Sequence, residues 1–204
     1  MVFTNYIKNL KLKSNNIKSS KYENKIIYAS VFFISIAIQL VIFDFSSITI
    51  NMDAYAYIDS TAWMRPHVYD LFLYISGLHF FKNFQSTIIL QMIVISSVPV
   101  VLMVILNLLK INKSISLIAI SFWFLYLYPF TMSLQIMSES VYIFGCSILL
   151  LFFVRYILDP NNKSLLILLI LFFVVNEIRS TLLLIYPALL FVISYFIEII
   201  KKIF

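Results

Sequence analysis

The chain has 204 residues, of which 62% are hydrophobic and 12% are charged, with a formal net charge of +6 at pH 7. Soluble domains carry roughly a quarter charged residues, so this composition excludes an ordinary soluble domain. Apolar runs near the roughly 18–20 residues needed to cross a bilayer recur along the sequence. These features indicate an all-α, polytopic integral membrane protein.

The apolar runs predict about six transmembrane helices after a basic segment at residues 1–25. In chain order, the spans cover about 26–43, 86–109, 115–132 and 140–158, and residues 164–200 form a last apolar hairpin interrupted at 176–181. Residues 26–204 are therefore predicted to form one transmembrane domain. No small-residue cleavage site follows the first apolar run, so this run is expected to stay in place as a signal anchor.

The basic residues sort to one side of these spans. With the N-terminus in the cytoplasm, twelve of the fifteen lysines and arginines lie on the cytoplasmic side, and only Arg65, Lys82 and Arg179 lie outside. This asymmetry follows the positive-inside rule and predicts a multi-pass plasma-membrane protein with both termini cytoplasmic. Topology and attraction to the lipid bilayer account for the basic excess, so nucleic acid is not an expected partner.

The first outer loop, residues 44–85, is predicted to hold two short amphipathic helices. Asn51 or Asp53 can cap the first, which runs to about Trp63. Within this helix, Asp53 and Tyr57 are i, i+4 neighbours and lie on one face.

An Arg-Pro elbow separates the two helices of this loop. Proline disfavours helical geometry in the residue before it, here Arg65, and Pro66 suits a first helical position. The second helix is expected at about 66–81, lying at the membrane surface. Its predicted apolar side comprises Val68, Leu71, Phe72, Ile75, Leu78 and His79.

Three ionisable residues lie in the short outer connections between later spans, Glu177 beside Arg179 in the last of them. Glu139 lies between the third and fourth spans, and Arg179 lies between the fifth and sixth. The run 164–175 has only twelve residues, or about 18 Å of helix, against a hydrocarbon core of about 30 Å. Its polar tip is therefore expected below the membrane surface, where ionisable groups are candidates for function.

Each of these residues also has a purely structural interpretation. Asp53 can serve only as a helix cap, and Arg179 can simply neutralise Glu177 or Glu139. His67 is more often an interfacial side chain than a metal ligand. No HExxH, CxxC or paired-histidine spacing is present, so the sequence does not support a metal site, although a divalent metal stays open, and it indicates no other cofactor.

A pattern of polar residues follows the first span. An aspartate is followed by a tyrosine, and then an Arg-Pro elbow opens a helix. The residues that carry this pattern are Asp53, Tyr57, Arg65, Pro66 and Tyr69. This pattern resembles the first outer loop of the GT-C superfamily of membrane glycosyltransferases, which use polyprenyl-phosphate-linked sugars. Ser138-Glu139, followed by an apolar span that ends in Arg155, resembles the family's "SE" helix. Residues 178–190 resemble its arginine-led later span.

The resemblance implies transfer of a sugar from a polyprenyl-phosphate donor to an acceptor at the outer face, by direct displacement with inversion. It implies Asp53 as the general base and Tyr57, Arg65, Glu139 and Arg179 as substrate-binding residues, and His67, next to the Arg-Pro elbow, is a further substrate-binding candidate. The family usually has proline where His67 stands, and its members are commonly two or three times longer. A truncated or split member is therefore expected, with a partner chain supplying the missing C-terminal half.

Other function classes stay open at the level of sequence. A non-catalytic membrane subunit of a cell-envelope polysaccharide pathway fits the short length. A transporter or flippase would favour mid-span charges and broken helices in matched internal repeats, whereas here most acids collect on one side. A polysaccharide polymerase would carry larger outer loops with several arginines.

Overall fold

The computed structural model describes residues 23–42, 67–78 and 84–179. Within these ranges the chain forms helices and no strand. The helices are α1 (Glu23–Ile42), α2 (His67–Ile75), α3 (Phe84–Leu108), α4 (Lys113–Leu125), α5 (Tyr128–Ser133), α6 (Glu139–Leu158) and α7 (Asn162–Ile178). The predicted all-α fold class is confirmed for these parts of the chain.

Three helices are long and apolar enough to cross a membrane, namely α1, α3 and α6. They correspond to the first, second and fourth predicted spans. Helix α4 is apolar but has only 13 residues, or about 20 Å, which is short of a hydrocarbon core of about 30 Å. A total of six spans and the cytoplasmic location of both termini stay predictions.

The third predicted span, residues 115–132, is not one continuous helix. Helix α4 ends at Leu125, and α5 begins at Tyr128 with Pro129 in its first turn. A proline has no N–H to donate to the carbonyl four residues earlier, and its ring clashes with that carbonyl. For Pro129 that residue is Leu125, which explains why α4 stops there.

Helix α3 is the centre of the bundle. In its most apolar stretch 56% of the residues are buried, against 17% in α1 and 22% in α6. It contacts α4, α5 and α6, and α1 packs on it through Val31 against Met103. A helix that is apolar around its whole circumference is expected to be surrounded by other helices, and α3 has that character.

Helices α6 and α7 form a close antiparallel hairpin. Asn161 caps the start of α7, where its side-chain oxygen accepts a hydrogen bond from the Ser164 backbone N–H at 2.8 Å. Near the other end, a Cβ at Gly145 would lie 3.0 Å from a Val175 methyl carbon and 3.3 Å from Ile178 Cδ1. Small residues let membrane helices approach closely, so glycine sets the spacing between α6 and α7 here.

Helix α2 is shorter than predicted, and its apolar side chains divide between the bundle and the exposed surface. It ends at Ile75, ahead of a turn in which Gly77 has φ 81°. Of the predicted apolar side, Leu71 and Ile75 are exposed, at 56% and 69%, whereas Leu78 is buried and Phe72 packs against it and its neighbours. Tyr69 and Leu73 are buried with Leu78, and the Tyr69 hydroxyl donates to a hydrogen-bond partner on α3.

Candidate functional site

An ion pair joins the start of α6 to the end of α7. Arg179 Nη1 donates to Glu139 Oε1 at 2.7 Å. Glu139 is the first residue of α6 and Arg179 is the C-cap of α7. A helix carries partial positive charge at its N-terminus and partial negative charge at its C-terminus, so both helix ends favour the charge placed on them.

The two partners of this pair differ in their exposure. The Glu139 side chain keeps 18% of its accessible surface and the Arg179 side chain keeps 40%. A guanidinium has five N–H donors, and the bond to Glu139 uses one nitrogen. Arg179 can therefore hold Glu139 and still offer donors to a second anion, and carboxylates and phosphates are the anions that this fork of donors suits.

Gln91 holds the chain segment that leads into α6. Its Nε2 donates to the Gln135 carbonyl at 2.7 Å and to the Ser133 carbonyl at 3.4 Å. Its Oε1 accepts from the Tyr69 hydroxyl at 3.3 Å. One buried amide on α3 thus ties α2 to the α5–α6 connection, which ends directly at Glu139.

A second glutamine joins α1 to α3 and α5. Gln39 Nε2 donates to Ser96 Oγ at 2.5 Å and to the Met92 carbonyl at 3.1 Å. Its Oε1 accepts from Ser133 Oγ at 2.6 Å. Gln39, Ser96 and Ser133 are fully buried, and pairing their polar atoms removes the cost of placing them in an apolar interior.

Two buried polar atoms beside the ion pair have no hydrogen-bond partner within the described parts of the chain. They are Ser140 Oγ, one residue after Glu139, and Asn176 Oδ1, three residues before Arg179. Buried polar atoms in native proteins are nearly always paired, so each unpaired one calls for an explanation.

The structure brings together two of the predicted site residues and leaves the others without side-chain placement. Glu139 and Arg179 are in direct contact, so Glu139 is the partner of Arg179 rather than Glu177, the other acid that the sequence offered. Asp53, Tyr57 and Arg65 lie outside the described residues, as does the first predicted loop helix. His67 begins α2, and its side chain is also outside the description.

Sequence reasoning missed Gln39 and Gln91. The available signal was an amide side chain inside an apolar span, because such groups commonly hydrogen-bond across helices in membranes. Among the described residues, no cluster of three or more histidine, cysteine, aspartate or glutamate side chains can hold a metal ion.

Comparison with known proteins found no relative. No protein-family model matches the chain, and no curated protein and no solved structure matches it.

Proposed function

We propose that the chain is a GT-C-type membrane glycosyltransferase or one part of a split enzyme of that type. In this proposal it transfers a sugar from a polyprenyl-phosphate donor to an acceptor hydroxyl at the outer face of the plasma membrane. The chain crosses the membrane about six times with both termini in the cytoplasm, as the positive-inside rule favours.

The observation that carries the proposal is the Glu139–Arg179 ion pair. It places an arginine with spare N–H donors at the end of a bundle that holds three apolar helices of membrane-crossing length. The phosphate of a lipid-linked sugar would meet the protein at such a helix end, with its polyprenyl chain along apolar helices. Two exposed apolar residues of α7, Phe173 and Val174, offer a surface for such a chain.

The position of α2 supports the proposal further. Helix α2 contacts α7, and Tyr69 bonds to the same glutamine that holds the approach to Glu139. Residues 43–66 connect the end of α1 to the start of α2. Asp53, Tyr57 and Arg65 are in this segment, and both of its ends join helices that pack around Gln91 and Gln39.

The proposed reaction is a single displacement. The Asp53 carboxylate takes the proton of the acceptor hydroxyl while that oxygen bonds to the anomeric carbon. The bond from this carbon to the phosphate oxygen breaks on the opposite side, so the configuration inverts and polyprenyl phosphate leaves. Arg179 and Arg65 stabilise the phosphate charge, Tyr57 and His67 contact the substrates, and Glu139 fixes Arg179 or binds the acceptor.

The test is transfer of a labelled sugar from a polyprenyl-phosphate carrier in reconstituted membranes. Asp53→Asn keeps the shape of the side chain and removes the base, so turnover should fall by about 10²–10⁴-fold. Asp159→Asn is the matched control, because Asp159 is exposed at the C-cap of α6, at the other end of that helix from Glu139. Its turnover should stay at the wild-type level.

Two results would contradict the proposal. Near-normal turnover of a correctly inserted Asp53→Asn protein would remove Asp53 from the role of base. Absence of transfer by the wild-type chain, alone and with candidate partner chains, would instead favour a non-catalytic subunit.

A further inference from the structure

The start of α6, which carries Glu139, is held from outside the helix. Its N-cap residue, Ser138, forms no side-chain capping hydrogen bond, although such bonds commonly satisfy the free N–H groups of a first helical turn. The preceding segment is held instead by Gln91 on α3, whose amide donates to the Gln135 carbonyl at 2.7 Å. The position of Glu139 therefore depends on a side chain of another helix.

Helix α2 reaches the same segment in two ways. The Tyr69 hydroxyl donates to Gln91 Oε1 at 3.3 Å, so it fixes the orientation of the amide that holds the approach to α6. Tyr69 also belongs to a buried cluster with Ile136, and Val141 packs against that cluster. Ile136 precedes Glu139 by three residues and Val141 follows it by two. Helix α2 therefore holds the chain on both sides of the glutamate.

Glu139 in turn directs the side chain of Arg179. This arginine follows the last residue of α7 with φ −155° and ψ 117°, which is extended backbone, and its side chain is 40% exposed. A long and partly exposed side chain has many rotamers to choose from, and the 2.7 Å contact with Glu139 favours one of them. The contacts thus run from Tyr69 through Gln91 to the ion pair.

We propose that Gln91 and Tyr69 are positioning residues for Arg179. Gln91 sets the start of α6, Glu139 passes this position on to the guanidinium, and Tyr69 makes the arrangement depend on the placement of α2. The consequence for binding rests on the function proposed above, in which the guanidinium meets the donor phosphate. Because residues 43–66 directly precede α2, the segment that carries the proposed base is joined to the phosphate end of the site.

The coupling between Glu139 and Arg179 measures this positioning without any ligand. Unfolding temperatures are compared for the wild type, Glu139→Gln, Arg179→Gln and the double variant in lipid nanodiscs. Because the two side chains are in contact, the double variant should lose less than the sum of the two single losses. In a Gln91→Leu background, the double loss should approach that sum. A residue that only stabilised the fold would lower all four temperatures alike and leave the coupling unchanged.

Leu151→Ala is the control for a general loss of packing. Like Gln91, Leu151 holds α6 against α3, where it packs with Val101 and Ile105. It lies twelve residues after Glu139, or about 18 Å along the helix. Leu151→Ala should therefore lower the unfolding temperatures and keep the coupling of the ion pair.

Tyr69→Phe tests the contribution of α2 with a smaller change. It removes the hydroxyl and keeps the ring in the buried cluster, so it should reduce the coupling, but by less than Gln91→Leu does. Tyr74→Phe removes a hydroxyl from the exposed side of the same helix and should leave the coupling unchanged. If Gln91→Leu does not fold, the Tyr69→Phe result decides.

Binding of polyprenyl phosphate in the same nanodiscs tests the consequence for the ligand. Misplacement of a charge-assisted donor should weaken the affinity about tenfold in Gln91→Leu, and Leu151→Ala should match the wild type. A wild type that binds no polyprenyl phosphate would contradict the proposed function, while the coupling measurement would still decide the positioning. Arg179-dependent binding that Gln91→Leu leaves unchanged would overturn the positioning and leave the proposed function standing.

Three results of the coupling measurement would overturn the proposal. The first is a coupling in Gln91→Leu as strong as that of the wild type. The second is an equal reduction in Gln91→Leu and Leu151→Ala, which would indicate a general loosening of the bundle. The third is absence of coupling in the wild type, because Glu139 would then not hold Arg179.

Discussion

Single polar side chains fix how the apolar helices of this protein meet. Apolar contact alone does not favour a neighbouring helix over lipid, since lipid tails are as apolar as leucine. Gln39 and Gln91 instead require specific partners, and each finds them on two other parts of the bundle. The register of α1 and α2 against α3 therefore depends on two residues that composition and hydropathy do not single out.

Replacement of Gln91 by leucine tests this dependence. The side chain keeps its approximate size, but the Gln135 carbonyl and the Tyr69 hydroxyl each lose a buried partner. An unsatisfied buried group costs about 1–3 kcal/mol, so the detergent-solubilised protein should unfold at a clearly lower temperature. Asn162→Leu removes an amide that is exposed and should leave the unfolding temperature nearly unchanged. Equal unfolding temperatures for the two variants would show that the Gln91 bonds do not hold the bundle.

At the scale of elements, the sequence predicted well which stretches are helical. It predicted less well where helices break and which of their residues are buried. Hydropathy found α1, α3 and α6, because length and apolar content are properties of the segment alone. It joined α4 and α5 into one span although Pro129 interrupts the helical hydrogen bonding there. It also did not single out Tyr69 as a residue that α2 buries, since the hydroxyl of Tyr69 bonds to Gln91, a residue on another helix.

The α6–α7 contact at Gly145 gives a prediction at this scale. Gly145→Val adds methyl groups where even a Cβ lies 3.0 Å from Val175, and overpacking costs about 1–3 kcal/mol. The variant should unfold at a lower temperature. Val175→Ala removes the atoms that clash, so the double variant should lose much less than the sum of the two single losses.

Additive losses in that double-mutant cycle would contradict the close contact. Val174→Ala in place of Val175→Ala is the matched control, because Val174 is exposed at 36% and next to Val175 in the chain. It should not rescue Gly145→Val.

At the scale of the whole molecule, the described helices place different chemistry at their two ends. The Glu139–Arg179 pair joins two helix ends, and the Lys113–Glu23 pair joins two others. The sequence predicted that Glu139 and Arg179 would lie at the same level, because both occupy short connections between apolar runs. It left open whether Arg179 pairs with Glu139 or Glu177, since only the packing of α6 on α7 brings Glu139 within reach.

The role of Arg179 as a phosphate ligand is the central claim about function, and one binding measurement tests it most directly. The affinity of a polyprenyl phosphate is measured for the wild type, Arg179→Gln and the control Arg155→Gln in lipid nanodiscs. Arg155 is exposed in the last turn of α6 and contacts the Phe152 ring. Loss of a charge-assisted contact of about 1.5–3 kcal/mol predicts an affinity weaker by about 10–150-fold in Arg179→Gln, with the Arg155→Gln affinity unchanged. The claim would be contradicted if Arg179→Gln bound the polyprenyl phosphate as tightly as the wild type does, while the start of α6 at Glu139 kept its structure.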